Sequence, residues 1–316
     1  MKVYEPIMQC EYGQLADKVC LDPDYFTGFD PARRAEIVAQ EAKFYRSITD
    51  SFLVDDQLEK KYLSFSSYDG TQIQMKYYLP VRAAEKKRPA LIFIHGGGYK
   101  TCSVETHDFV PSYIAANADL VAFSVEYRLA PEYKFPVGLY DCYEAIRWVF
   151  AHADQFGIDT ARVAVGGDSG GGNFTAALTI LAKQRQEFSL DKQVLIYPAT
   201  DMSGTVKKKS ASIYAPIGGN SSPNPYEEYT GVGADLHNPL LSPMLAEDHT
   251  GLPKALFIEA ECDPLVDDGL IYANLLQQAG VEVEYHVYKG MPHAFILRTY
   301  TETFDALNRI CDFLKA

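Results

Sequence analysis

The chain has 316 residues, of which 47% are apolar and 22% charged, enough for one large domain with a substantial core. Its 29 Lys and Arg stand against 42 Asp and Glu, a formal net charge of −13 that argues against nucleic acid or an anionic membrane surface as partner. Neither a secretory apolar region after Met1-Lys2-Val3 nor a membrane-length apolar run is visible, so a soluble, cytoplasmic protein with reduced thiols is expected, six cysteines leaving pairing open.

The first predicted element is a helix over 31–49, with Asp30 as N-cap and Pro31 at the first helical position. Ile37, Glu41, Phe44 and Ile48 share one stripe of it, which suits an amphipathic helix packed over the face that carries the active site. Strands over 61–65 and 71–78 flank Ser67-Tyr68-Asp69-Gly70, predicting an antiparallel hairpin at one sheet edge. Further strands are read at 90–94, 120–125, 162–165, 193–197, 255–259 and 282–287, and helices at 108–116, 138–152, 173–183, 268–279 and 301–314. This alternation predicts an α/β class fold, a doubly wound and mostly parallel sheet with helices on both faces. No repeat or second domain is visible. The segment Ala211 to Asp235 is rich in Gly, Pro, Ser and Tyr, a composition that breaks helices.

Chemistry concentrates at four strand ends. The strand at 162–165 breaks into Gly167-Asp168-Ser169-Gly170-Gly171 and then a helix, the form of a nucleophile elbow, in which glycines at 167 and 171 let neighbouring backbones approach. The strand at 90–94 runs into His95-Gly96-Gly97-Gly98-Tyr99, a loop of bare amides suited to a developing oxyanion. Gly97, Gly98 and Gly170 are assigned as its backbone N–H donors. Asp263, stiffened by Pro264, follows the strand at 255–259, and His293 follows the strand at 282–287 in Gly290-Met291-Pro292-His293. In the order serine, acid, histidine, Ser169 is the candidate nucleophile, Asp263 the acid and His293 the base, with Asp267 and Asp268 as alternative acids. His95 is read as tying the glycine loop down, and Cys262 as a small buried residue at a strand end. The remaining histidines show no paired spacing and the cysteines no C-x-x-C, so no metal site is expected.

Taken together, His95-Gly-Gly-Gly-Tyr99, Tyr127-Arg-Leu-Ala-Pro-Glu132, Gly167-Asp-Ser-Gly-Gly171, Asp263-Pro-Leu265 and Gly290-Met-Pro-His293 resemble the hormone-sensitive-lipase-like carboxylesterase branch of the α/β-hydrolase fold. The resemblance runs over roughly 62–316. It implies a cofactor-free serine carboxylesterase with Ser169, Asp263 and His293 as its triad, acting on small-molecule esters of short acyl chains, acetyl to butyryl. It also suggests that Arg128 and Glu132 brace the oxyanion loop through an ion pair or a set of hydrogen bonds. Two departures stand out: Gly170 replaces the alanine usual after the nucleophile, and the lid region lacks helical composition. The lid is therefore read as residues 1–50 together with an insertion at about 203–236 in a catalytic domain over 51–316. Tyr214, Tyr226 and Tyr229 are its candidate substrate-binding residues. A ligand-binding protein that has lost the reaction, an amidase or peptidase using the same triad, and assembly as a homo-oligomer all stay open.

Overall fold

The near-continuous apolar run Ala90-Leu-Ile-Phe-Ile94 has the composition of a strand covered on both sides, and the computed structural model, which describes residues 31–316 apart from 53, 209 and 211–225, places it inside one eight-stranded sheet. The strands are β1 (Leu58–Ser66), β2 (Gln72–Pro80), β3 (Arg88–Ile94), β4 (Val121–Val125), β5 (Ile158–Asp168), β6 (Lys192–Ile196), β7 (Lys254–Cys262) and β8 (Val283–Pro292). Their order is β1-β2-β4-β3-β5-β6-β7-β8. The edge hairpin β1–β2 is antiparallel, with Phe65 opposite Ile73, and β2 also runs antiparallel to β4. Every other pairing is parallel.

Side chains alternate across β3 with period two and so feed two cores. Ile92 and Ile94 point into a cluster with α3 (Val137–Ala151) and α4 (Gly170–Arg185), through Leu139, Ile146, Phe174 and Leu178. Leu91 and Phe93 point the other way, toward α2 (Phe109–Ala118) and α7 (Thr301–Lys315), with Ile114, Leu307 and Ile310. A third cluster joins α4 to α6 (Val266–Gln278) over β6 and β7. With helices on both faces, this is the doubly wound arrangement expected from the sequence.

Several boundaries differ from the expectations for physical reasons. β5 starts four residues early because Ile158 pairs with Arg88 on β3. α4 begins at Gly170, so three poor helix formers occupy its first turn. Close packing on β3 decides this. The N-terminal helix α1 spans Arg34–Thr49 after a 3-10 turn at Pro31–Arg33, and the expected Asp30 cap lies outside the described residues. The stripe read for it is corrected by one position: Tyr45 and Thr49 are buried while Phe44 is 49% exposed. Tyr45 joins the core cluster under α1, and the Arg298 guanidinium covers both rings, 5.3 Å from Phe44 and 5.0 Å from Tyr45. A short helix α5 (Glu227–Thr230) interrupts the stretch expected to be irregular. No helix of the described residues is long and apolar enough to cross a membrane. Cys102, Cys142 and Cys311 are buried, Cys142 and Cys311 as free thiols, whereas Cys262 is disulfide-bonded, a departure from the reduced thiols expected.

Candidate active site

The turn from β5 into α4 holds Ser169 at φ 54° and ψ −117°, a left-handed backbone state that side chains rarely adopt. Neighbouring glycines make room for it. A Cβ at Gly171 would stand 2.0 Å from the Ile94 carbonyl oxygen, and one at Gly167 2.4 Å from the same atom. The end of β3 therefore presses directly on the elbow, which carries the His95–Tyr99 loop alongside Ser169.

That loop is anchored from several sides. The Gly96 N–H donates to Asp168 Oδ1 at 2.8 Å, and His107 Nε2 lies 3.2 Å from the same oxygen. Burial alone would raise the Asp168 carboxyl, but the neighbouring His107 and the Gly96 amide outweigh it and hold the group below the ordinary carboxylate value. The Tyr127 hydroxyl donates to the His95 carbonyl at 2.9 Å, and its ring stacks on the His95 imidazole at 4.4 Å. Burial pushes His95 down to about 3, so its ring is neutral at physiological pH. The Ala130 N–H reaches the Tyr99 carbonyl at 2.9 Å. Within the loop, the Gly97 carbonyl accepts from both Lys100 and Thr101 N–H groups at 3.1 Å, closing a tight turn with Gly97 at φ +111°. Among the described residues, no backbone carbonyl or side chain accepts from the Gly97, Gly98 or Gly170 amides.

From β7 and β8 come the two other candidates. His293 Nδ1 lies 2.6 Å from Asp263 Oδ2, and its Nε2 lies 2.9 Å from Ser169 Oγ. Asp263 is fully buried, and its second oxygen accepts the Leu265 N–H at 2.8 Å. Burial would lower the His293 pKa, but the charge of Asp263 and the hydrogen bond to it outweigh that, leaving the imidazole above its ordinary value. The alternative acids lie elsewhere in the site's surroundings. Asp267 accepts the Ser210 N–H at 2.9 Å, while Asp268 accepts the N–H groups of Thr200 and Asp201 at 3.1 and 3.0 Å and pairs with Lys208 at 2.8 Å. Burial pushes Asp268 up to about 6 despite Lys208.

Arg128 and Glu132 do not pair with each other. Arg128 donates to Asp141 through Nε at 2.9 Å and Nη2 at 2.7 Å and to Asp69 at 2.7 Å, while Glu132 pairs with Arg34 of α1. Of the candidate lid tyrosines, Tyr214 lies outside the described residues and Tyr226 is partly buried at the start of α5. Tyr229 is 3% exposed and stacks on Tyr99, with centroids 4.0 Å apart and planes at 8°.

Three features escaped the sequence reading. Tyr197, at φ 34° just past β6, sets its ring 4.7 Å from that of His293, and nothing in the local pattern marks it. Asp168 could have been noticed, since it sits inside the elbow string itself. Glu259, on β7, is fully buried, and neither carboxylate oxygen has a hydrogen-bond partner among the described residues. Burial, then the charges of Asp263 and Asp268, push it well above the ordinary carboxylate range. The same described residues hold no group of three or more His, Cys, Asp or Glu placed to bind a metal ion.

An elbow serine, an imidazole bonded to it and to a buried carboxylate, and a glycine loop beside them are the parts of a serine hydrolase site. A family model described as the alpha/beta hydrolase fold matches residues 91–297. The ethyl acetate hydrolase of Pseudomonas putida is 37% identical, the match covering 74% of each chain. The arylesterase of Saccharolobus solfataricus is 34% identical over 71% of this chain and 73% of its own. Among solved structures, a hyperthermophilic esterase from Pyrobaculum calidifontis superposes with a TM-score of 0.83 at 33% identity, covering 98% of this chain and 97% of that one. The chain thus belongs to the α/β-hydrolase family, in its hormone-sensitive-lipase-like carboxylesterase branch. It is a carboxylic-ester hydrolase.

Proposed function

We propose that the chain hydrolyses small esters of short acyl chains, acetyl to butyryl, through an acyl-serine intermediate formed on Ser169. The observation that carries this reading is the continuous bridge from Asp263 through His293 to Ser169, at 2.6 and 2.9 Å. His293 takes the hydroxyl proton as Ser169 Oγ attacks the ester carbonyl, and returns it to the departing alcohol. Asp263 holds the ring and stabilises the imidazolium without accepting the proton. The amides of Gly97, Gly98 and Gly170 receive the oxyanion, each worth about 3 to 4 kcal/mol in such sites. Water, activated by the same imidazole, then attacks the acyl-serine and releases the acid.

The short-chain preference is supported by the Pseudomonas putida relative, an ethyl acetate hydrolase. Residues 1–50 and the insertion at about 203–236 are assigned to a lid, with Tyr226 as the described tyrosine that could face substrate, Tyr214 lying outside the described residues and Tyr229 being buried against Tyr99. A short pocket discriminates by about 1 to 3 kcal/mol per methylene. The test is a p-nitrophenyl ester series from acetate to decanoate, with Ser169→Ala as control. Turnover should peak between two and four carbons and vanish in the control; a peak at octanoate or beyond refutes the small pocket. Mass spectrometry after organophosphate treatment should show one adduct on Ser169, and an unlabelled serine would make the chain a binding protein instead.

A further inference from the structure

The glycine turn that aims the Gly97 and Gly98 amides is closed at its far end by Lys100 and Thr101, and both of these are held by α1. Arg34 Nε donates to the Lys100 carbonyl at 3.1 Å, while its two terminal nitrogens donate to the Ala130 carbonyl and the Glu132 carboxylate. Two turns along the same helix face, Glu41 accepts from the Thr101 hydroxyl at 3.3 Å. The Arg34 side chain is only 18% exposed, and a planar guanidinium with donors in a fixed fork suits three acceptors converging from two loops. One of those loops is the oxyanion turn. The other, at 130–132, also takes part in its bracing, since the Ala130 N–H bonds the Tyr99 carbonyl.

A second clamp acts on the same turn from the lid side. Glu228 of α5 pairs with Lys100, and Tyr229 stacks on Tyr99, whose ring would lie 3.2 Å from a Cβ at Gly170, the third amide donor.

We propose that Arg34 is a positioning residue for the oxyanion loop: by tying the Lys100 carbonyl to Ala130 and Glu132, it fixes the turn that points the Gly97 and Gly98 amides. The N-terminal helix is then a working part of the chemical step as well as a cover. This rests on the assignment of those amides in the proposed function. A shift of the turn by a fraction of an ångström would leave ester binding intact while weakening the bonds that form only as the oxygen becomes negative.

The experiment compares Arg34→Ala, Arg34→Lys and Arg46→Ala, the last removing only exposed ion pairs of the same helix to Asp50 and Asp55. Folding is checked by far-ultraviolet circular dichroism. For p-nitrophenyl acetate, Arg34→Ala should lower kcat by about 10- to 100-fold with KM within about twofold, less than full loss of a donor. The inhibition constant of a trifluoromethyl ketone, which forms a tetrahedral oxyanion on the serine, should rise in the same proportion. Arg34→Lys should recover only part, added ethylguanidinium should restore some turnover to Arg34→Ala, and Arg46→Ala should match the wild type. The inference is overturned if Arg34→Ala raises KM alone, if the ketone binds unchanged, or if the loss follows only the fraction unfolded. Lost turnover in Ser169→Ala beside an unaffected Arg34→Ala would sink this inference alone; retained turnover in Ser169→Ala would sink it together with the functional reading beneath it.

Discussion

Replacing Glu259 by glutamine should change how stability depends on pH in a way that the buried carboxyl dictates. In the folded chain this group is fully buried without a hydrogen-bond partner among the described residues, and Gly269 of α6 presses on it so closely that a Cβ there would stand 1.8 Å from Oε1. The carboxyl therefore titrates higher when folded than in the unfolded chain, where it ionises above its ordinary value of 4.5. A carboxyl raised in this way contributes its full stability below that value and loses it as pH rises toward the folded titration. Each pH unit over which only the unfolded chain ionises costs the wild type about 1.36 kcal/mol and Glu259→Gln nothing, starting from the ordinary value of 4.5. Other titrations largely cancel in the difference between the two proteins. Urea unfolding at half-unit intervals from pH 4 to 7.5, followed by fluorescence of the lone tryptophan, Trp148, measures that difference. It should grow in favour of the variant above pH 4.5, by up to about 1.4 kcal/mol per unit until the folded carboxyl itself titrates. A difference that stays constant with pH would mean that Glu259 is ionised in the folded state, and the reasoning would be wrong.

The activity of the wild type should decline as pH falls through a single titration lying above 6.5, because Asp263 raises His293; a kcat/KM profile with its midpoint well below that value would remove His293 as the base. Asp263→Asn should cost about 10⁴-fold in kcat and move the midpoint down, as read from the same profiles. Gly171→Ala would thrust a methyl to 2.0 Å from the Ile94 oxygen and should cost more than about 4 kcal/mol, whereas at Gly170 the nearest atom is Tyr99 Cε1 at 3.2 Å and the cost should stay below about 1 kcal/mol. Urea midpoints of the two variants decide this. Asp141→Ala should lose about 3 to 5 kcal/mol, because it strands the Arg128 guanidinium and the Ser67 hydroxyl that now share the buried carboxylate; a loss within 1 kcal/mol would show the pair to be dispensable.

What could be read in advance was whatever leaves a local mark. The apolar run before His95 and the break at Gly167 announce strands that end at the candidate site, and the structure sets His293 within hydrogen-bond reach of both Ser169 and Asp263. The hairpin and the alternation of strands with long helices are equally local, and they account for the sheet. The stripe of α1 was misread because apolarity favoured Phe44, while the helix faces the body with Tyr45, whose buried ring lies beneath the Arg298 guanidinium. Arg34 gave no sign at all, its partners lying 66 to 98 residues away. Arg128 and Glu132 do not meet: Asp141 and Asp69 take the guanidinium and Arg34 takes the carboxylate, through contacts that no spacing rule contains.

The backbone of Ser169 has an evolutionary consequence. A non-glycine residue held in that left-handed state costs on the order of 1 to 3 kcal/mol, and a glycine at 169 would release it. Durability and turnover thus pull in opposite directions at this one codon: a lineage selected only to persist would drift toward a sturdier chain with nothing left to acylate.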